Sequence, residues 1–124
     1  MDLLFVAIGG AIGAVSRYLV VRISANVLGV DFPYGTLIVN TVGSFILVFF
    51  MVVTIEKLSI DPVWRLFFGV GFLGAFTTFS SFSYETISLF QEGEVFKGFL
   101  NIILNNVFSL TAGLLGLLAG RYIS

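Results

Sequence analysis

Strongly apolar stretches with few charged residues dominate this sequence, and the clearest of them runs from Tyr34 to Ile55 without one charged residue. A helix needs about 20 mostly apolar residues to cross the hydrocarbon core of a bilayer. Three further stretches of this kind predict spans over residues 63–90, 96–122 and, at the start of the chain, 3–24. The sequence therefore predicts an all-α membrane protein, with residues 1–124 forming a single four-helix transmembrane domain.

The composition removes most kinds of enzyme chemistry. The chain has no cysteine, no histidine, 10% charged residues and 58% hydrophobic residues. It therefore offers no thiol nucleophile, no imidazole base and no Cys/His metal site, and it has too little charge for an ordinary soluble domain. A net charge of −1 gives no electrostatic reason to expect nucleic acid. We expect a protein that lies in the lipid bilayer and is not an enzyme.

The basic residues are divided evenly between the two ends of the predicted bundle. The side that holds both termini carries Lys57, Arg65 and Arg121. The other side carries Arg17, Arg22 and Lys97. Because Lys and Arg near the span ends set the orientation of a membrane protein, this balance gives no preference and permits an antiparallel, dual-topology homodimer. The alternative is that a weak bias selects one orientation.

The third predicted span contains a run of hydroxyl side chains that makes a poor helix. After Gly69, Gly71 and Gly74 the chain reads Thr77-Thr78-Phe79-Ser80-Ser81-Phe82-Ser83-Tyr84-Glu85. Glycine and Ser/Thr both weaken helices, so we predict a mid-membrane break between about Gly74 and Thr78. Carbonyl oxygens freed there often coordinate a cation such as Na⁺. Alternatively, the hydroxyls bond to their own helix and the glycines only allow close packing.

Phe79 and Phe82 are three residues apart and therefore share one face of a helix that follows the break. The edge of an aromatic ring is partially positive. A pair of rings among hydroxyl donors is therefore able to line a path for a small anion. Because the chain contains 15 phenylalanines, the alternative is that the two rings are packing residues.

Two polar stripes run along the second and fourth spans. Each stripe repeats a polar residue at every fourth position, and the members are Thr36, Asn40 and Ser44 in one and Asn101, Asn105 and Ser109 in the other. Such stripes indicate a water-contacting groove. The alternative is hydrogen bonding between helices, which contributes about 0.6 kcal/mol per contact in measured membrane bundles.

Arg17 lies about 14 residues into the first span. If that span ends near Tyr18, the guanidinium lies at the membrane interface. If the span continues to Ser24, Arg17 borders an aqueous vestibule and attracts anions.

Three motifs carry a resemblance to a known family. They are Gly9-Gly10-Ala11-Ile12-Gly13-Ala14-Val15-Ser16-Arg17-Tyr18, Gly35-Thr36-Leu37-Ile38-Val39-Asn40-Thr41-Val42-Gly43-Ser44-Phe45 and Gly71-Phe72-Leu73-Gly74-Ala75-Phe76-Thr77-Thr78-Phe79-Ser80-Ser81-Phe82-Ser83-Tyr84-Glu85. In this order and spacing they resemble the bacterial fluoride channels called Fluc or CrcB. The resemblance implies a dual-topology antiparallel homodimer in the bacterial inner membrane. It also implies two fluoride pathways, a structural Na⁺ at the dimer centre, and passive export of cytoplasmic fluoride.

The resemblance also implies residue roles. The fluoride pathway corresponds to the side chains of Asn40, Phe79, Ser80, Phe82, Asn105 and Ser109. The backbone oxygens of Gly74 and Thr77 correspond to the Na⁺ ligands, and Arg17 corresponds to a vestibule arginine. A tyrosine or serine expected one turn earlier in the fourth span is here Asn101, which leaves the outer end of that track open. Glu85 ends the third motif without an assigned role.

Two other functions fit a short four-span protein. A small proton-coupled multidrug exporter needs a membrane-embedded carboxylate in the first span, and residues 3–16 contain none. A non-transporting structural subunit of a membrane complex would use both polar stripes as contacts between helices.

Overall fold

The computed structural model describes residues 2–123, and every regular element in that range is helical. Four segments are long and apolar enough to cross a membrane. We label the helices α1 (Asp2–Leu28), α2 (Tyr34–Lys57), α3 (residues 62–76), α4 (Phe79–Gln91) and α5 (Val95–Tyr122), where α3 and α4 together form the third segment, Pro62–Gln91. The predicted all-helical class with four candidate spans is confirmed, and α1 continues to Leu28, beyond its predicted end near Ser24.

Local sequence explains where the helices begin and end. The α1–α2 and α4–α5 connections turn at Gly29 and Gly93, whose φ angles of 90° and 80° suit glycine. Asp61 caps α3 by accepting a hydrogen bond from the Val63 backbone N–H at 3.0 Å, and Pro62 occupies the first turn, where no donor is needed. These short connections keep sequential helices adjacent.

The helices pack in two main pairs, α2 with α5 and α1 with α3. The second pair depends on the absence of side chains at Gly9 and Gly13. A Cβ atom added there would lie 2.1 Å from the carbonyl oxygens of Phe67 and Phe72 respectively. The backbones of α1 and α3 are therefore in direct contact, as small residues permit in membrane bundles.

The backbone between α3 and α4 is extended rather than helical. Thr77 has φ −87° and ψ 158°, and Thr78 has φ −155° and ψ 124°. The Thr78 hydroxyl oxygen accepts a hydrogen bond from the Ser81 backbone N–H at 3.1 Å and so caps the first turn of α4. Across this interruption the chain changes neighbours, because α3 packs on α1 whereas α4 packs on α5.

Wide, π-helical turns occur where α2 ends and where α3 begins, over Val53–Lys57 and Arg65–Leu73. Arg65 joins the two segments. Its Nε donates to the Thr54 hydroxyl at 3.2 Å, and its Nη2 donates to the Thr54 carbonyl at 2.7 Å. Such bulges are rare and are often found at functional sites.

The outward faces of the helices carry large exposed apolar side chains, among them Leu19, Ile103, Leu110 and Leu114. A patch of this extent on every span requires lipid rather than water as its solvent. Several buried polar side chains form hydrogen bonds to a neighbouring helix, such as Thr36 to Glu85 and Asn101 to Thr86. The protein is therefore a multi-pass membrane protein.

Candidate functional site

A groove of about 270 Å³, here called the central groove, opens beside the interruption between α3 and α4. It is lined by neutral side chains: Asn40, Ser44, Thr77, Thr78, Phe79, Phe82, Asn105, Asn106, Ser109 and Leu110. Five of the six residues expected in an anion pathway are among them. Helices α2, α4 and α5 each form one side of the groove. The predicted polar stripes of α2 and α5 therefore face each other across it.

Phe79 and Phe82 form a contacting pair at the start of α4. Their ring centroids are 5.3 Å apart and the ring planes are inclined by 60°. Phe79 is 76% exposed, whereas Phe82 is 7% exposed. The first ring therefore stands free on the surface of a single chain, and the second is held in the helix packing.

Asn40 connects α2 to the interruption and to α5. Its Oδ1 accepts a hydrogen bond from the Thr78 backbone N–H at 2.8 Å, and its Nδ2 donates to the Thr78 carbonyl oxygen at 3.1 Å. The same Nδ2 donates to Asn105 Oδ1, also at 3.1 Å. We call these three bonds the Asn40 clamp. Because an amide has two N–H hydrogens, both of those on Asn40 are engaged with protein acceptors.

The polar network continues along α5 and returns to α4. Asn105 Nδ2 donates to the Asn101 carbonyl oxygen at 3.0 Å and to Asn101 Oδ1 at 2.9 Å. Asn101, which is fully buried, donates to the Thr86 hydroxyl at 2.9 Å, and Thr86 in turn donates to the Phe82 carbonyl at 2.8 Å. The network links α2, α4 and α5. The amides of both stripes therefore take part in hydrogen bonding between helices, which was the alternative to a water-contacting groove.

The hydrogen-bond donors that remain available in the groove are hydroxyls and the second N–H of the Asn106 amide, whose other N–H donates to the Ile102 carbonyl. The Thr78 and Ser80 oxygens are 3.2 Å apart, so one hydroxyl donates to the other and one hydrogen stays free. Ser44 and Ser109 line the same groove, and their hydroxyls make no hydrogen bond within residues 2–123. Ser80 itself is exposed at the edge and does not line the groove.

The interruption also frees carbonyl oxygens at the end of α3. The Leu73 oxygen accepts from the Thr77 N–H and hydroxyl, both at 3.1 Å, and the Ala75 oxygen accepts from Arg17 Nε at 3.1 Å. Over the described part of the chain, the carbonyl oxygens of Gly74 and Thr77 receive no donor across the interruption. Arg17 thus lies within α1 against the end of α3, and its expected vestibule role stays a prediction.

Glu85, which the sequence left without a role, lies away from the central groove. Its Oε2 accepts a hydrogen bond from the Thr36 hydroxyl at 2.7 Å, while its Oε1 is buried without a protein partner within residues 2–123. Thr36, the first member of the α2 stripe, therefore bonds to α4 rather than contributing to the groove.

Sequence reasoning placed Ser44 in a polar stripe but not in the fluoride pathway, and it assigned no site role to Thr78, Thr86 or Asn106. A signal was present for the first three. Ser44 follows Asn40 by one helical turn, Thr78 begins the hydroxyl run, and Thr86 lies four residues after Phe82 on the same face of α4. Nothing in the sequence distinguishes Asn106, whose Nδ2 bonds back to the Ile102 carbonyl at 2.8 Å.

Comparison with known proteins identifies the family. Residues 4–117 match the family model described as CrcB-like protein, Camphor Resistance (CrcB). A protein named Fluoride-specific ion channel FluC from Sulfurihydrogenibium sp. (strain YO3AOP1) is 52% identical over 118 residues, which cover 95% of each chain. Proteins of the same name from Legionella pneumophila (strain Paris) and Vibrio campbellii (strain ATCC BAA-1116) are 51% and 48% identical, over 97% and 90% of this chain and 90% and 88% of their own. The family expected from the three sequence motifs is thereby confirmed, and this chain belongs to the CrcB-like proteins.

Proposed function

We propose that this protein is a fluoride channel that lets cytoplasmic fluoride leave a bacterial cell passively across the inner membrane. The observation that carries the proposal is the central groove, in which a phenylalanine pair and free hydroxyls stand together without any charged side chain. The relatives named Fluoride-specific ion channel FluC support the same conclusion. Since a channel passes its ion without chemical change, the proposal includes no enzymatic step.

A neutral groove suits fluoride because the ion is small and strongly hydrated. Leaving water requires replacement donors. The groove supplies the Ser44, Ser109 and Thr78 hydroxyls, the last beside that of Ser80, together with the ring edges of Phe79 and Phe82. A full positive charge at that depth would bind the anion too tightly for rapid exit, whereas conduction needs weak sites. The amides of Asn40 and Asn105 act in this scheme mainly by holding the groove in shape, since their hydrogens bond to protein acceptors.

We propose further that two copies assemble as an antiparallel, dual-topology homodimer with two pathways. Phe79 supports this proposal, because a pathway ring that is 76% exposed on a single chain needs a second surface to enclose the ion. The even division of basic residues between the two membrane sides supports insertion in both orientations.

The end of α3 fits the structural Na⁺ that the family resemblance implies. A hard cation prefers oxygen ligands, and among residues 2–123 the carbonyl oxygens of Gly74 and Thr77, like that of Phe76, receive no protein donor across the interruption. We propose that the Gly74 and Thr77 oxygens hold the ion together with the same pair from the second copy. When bound, Na⁺ would supply positive charge to carbonyls that otherwise lack a partner.

The two other candidate functions are not favoured by the comparisons, because the relatives carry the name of an ion channel.

Flux measurements on purified protein in liposomes test the proposal. Vesicles loaded with potassium fluoride are diluted into fluoride-free buffer, valinomycin is added to release potassium, and external fluoride is followed with an electrode. We expect rapid fluoride efflux, no efflux from matched vesicles loaded with potassium chloride, and no change when a protonophore collapses the proton gradient. Vesicles that retain fluoride would contradict the channel and favour a structural subunit, and efflux that stops with the protonophore would favour proton coupling.

A further inference from the structure

A second groove, here called the outer groove, lies between the end of α2 and the start of α3 and plays no part in the proposed fluoride pathway. Its volume is about 530 Å³, within the range of ~300–1,000 Å³ typical of small-molecule sites. Five of its ten lining residues are aromatic: Phe49, Phe50, Trp64, Phe67 and Phe68. Apart from the indole N–H of Trp64, its only polar side-chain group is the Thr54 hydroxyl, and the hydroxyl and carbonyl oxygens of Thr54 already accept hydrogen bonds from Arg65. The groove therefore presents an almost entirely apolar surface.

The outer groove lies at one end of the bundle. Leu58 and Ile60 from the connection between α2 and α3 form part of its wall, and that connection joins two membrane-spanning segments. The mouth of the groove therefore opens just inside the level of the lipid headgroups. Trp64, which is 54% exposed there, is typical of that level of a membrane.

The charged side chains around the mouth differ in whether a side chain of opposite charge pairs with them. Glu56 pairs with Arg121 at 3.5 Å, and the Asp61 side chain accepts a hydrogen bond from the Val63 N–H. Lys57, next to Leu58, and Arg65, next to Trp64, have no carboxylate within 4.0 Å among residues 2–123. Because Asp61 keeps its negative charge while Glu56 and Arg121 offset each other, Lys57 and Arg65 leave a net positive charge beside the apolar slot at headgroup depth.

We propose that the outer groove binds an anionic phospholipid, with one acyl chain among the aromatic side chains and the phosphate beside Lys57 and Arg65. An acyl chain matches a slot lined almost entirely by apolar and aromatic side chains, and a phosphate complements the two basic side chains. The π-helical turns Val53–Lys57 and Arg65–Leu73 each contribute two side chains to the lining. The lipid would rest against the Arg65–Thr54 bonds that join these turns.

The single tryptophan of the chain makes the site directly measurable, since Trp64 lies in the groove. Bromine atoms on an acyl chain quench tryptophan fluorescence only on contact. We would reconstitute the protein in phosphatidylcholine vesicles that contain a small, equal fraction of either brominated phosphatidylglycerol or brominated phosphatidylcholine. A basic side chain near the membrane surface attracts an anionic lipid by a factor of about five, so we expect at least about fivefold more efficient quenching by the brominated phosphatidylglycerol.

The matched control moves the reporter outside the groove. In a Trp64→Phe background, Leu118→Trp places the indole near the same end of the bundle. The two reporter positions are matched in exposure, because wild-type Trp64 and wild-type Leu118 are each 54% exposed. We expect no preference between the two lipids for this reporter, and Leu4→Trp in the same background serves if the first variant does not fold. In the otherwise wild-type protein, Lys57→Gln should lower the phosphatidylglycerol preference at Trp64 about fivefold without changing quenching by phosphatidylcholine.

Three results would overturn the proposal. They are an equal lipid preference at Trp64 and at the control reporter, an unchanged preference after Lys57→Gln, and no quenching of Trp64 by either lipid. The last result would mean that protein, such as a second copy, covers the groove. The measurement contains no fluoride, so its failure would leave the proposed channel function unaffected.

Discussion

Replacing Asn40 with leucine tests the idea that a side-chain clamp holds the interruption between α3 and α4. The substitution preserves approximate side-chain size but removes three hydrogen bonds, two to the Thr78 backbone and one to Asn105. Contacts of this kind contribute ~0.6 kcal/mol each in membrane bundles, so the three together contribute about 2 kcal/mol to the free energy of unfolding. The loss leaves the Thr78 N–H and carbonyl without a side-chain partner, and we therefore expect reduced fluoride flux as well.

The matched control is Asn106→Leu. Asn106 is also an asparagine of the central groove, but it is exposed and its amide bonds only within its own helix. We expect its free energy of unfolding to change by less than about 0.5 kcal/mol. Both variants can be unfolded reversibly in mixed micelles with increasing dodecyl sulfate and followed by far-ultraviolet circular dichroism. If Asn40→Leu and Asn106→Leu destabilise the protein equally, the clamp does not hold the interruption and the reasoning is refuted.

Three further predictions concern the pathway, the packing and the cation. Phe79→Ile and Phe82→Ile should each lower fluoride flux in liposomes by about tenfold, equivalent to ~1.4 kcal/mol, while the proposed dimer persists in size-exclusion chromatography. Unchanged flux in both variants would contradict a pathway role. Gly9→Ala should lower the free energy of unfolding by about 1–3 kcal/mol, because its Cβ would lie 2.1 Å from a carbonyl oxygen. The control Gly10→Ala, whose Cβ would lie 3.8 Å from the nearest atom, should lower it by less than ~0.5 kcal/mol. Equal effects of the two substitutions would count against direct contact between the backbones of α1 and α3. Replacing Na⁺ by N-methylglucamine should lower the midpoint of thermal unfolding or the fraction of protein in the proposed dimer, and returning Na⁺ should restore it. Identical unfolding curves in the two cations would argue against a structural Na⁺.

The four spans could be predicted because each depends on a local property, a stretch of about 20 residues with few charges. The helix ends were less certain. Nothing near Ser24 indicates that α1 continues to Leu28, and the placement of Arg17 against the Ala75 carbonyl depends on the packing of α1 on α3. The π-helical turns also lack a local signal, since they accompany the contact between Arg65 and Thr54, which are separated in the sequence.

For the central groove, helical spacing predicted which residues share a face but not what their amides bind. The repeats of Asn40 with Ser44 and of Asn105 with Ser109 place each pair on one side of a helix. Whether an amide hydrogen points to an ion or to a neighbour depends on the rotation and separation of helices that are far apart in the chain. The Asn40–Asn105 bond joins residues 65 positions apart, a relation that no short motif encodes.

The extended residues Thr77 and Thr78 have a consequence for how the third span tolerates change. Its first half belongs to the packing of α1, and its second half belongs to that of α5. Substitutions on opposite sides of Thr77 and Thr78 should therefore have nearly additive effects on the free energy of unfolding, as they do for residues without shared partners. A single crossing of the membrane thus consists of two halves whose packing can change separately.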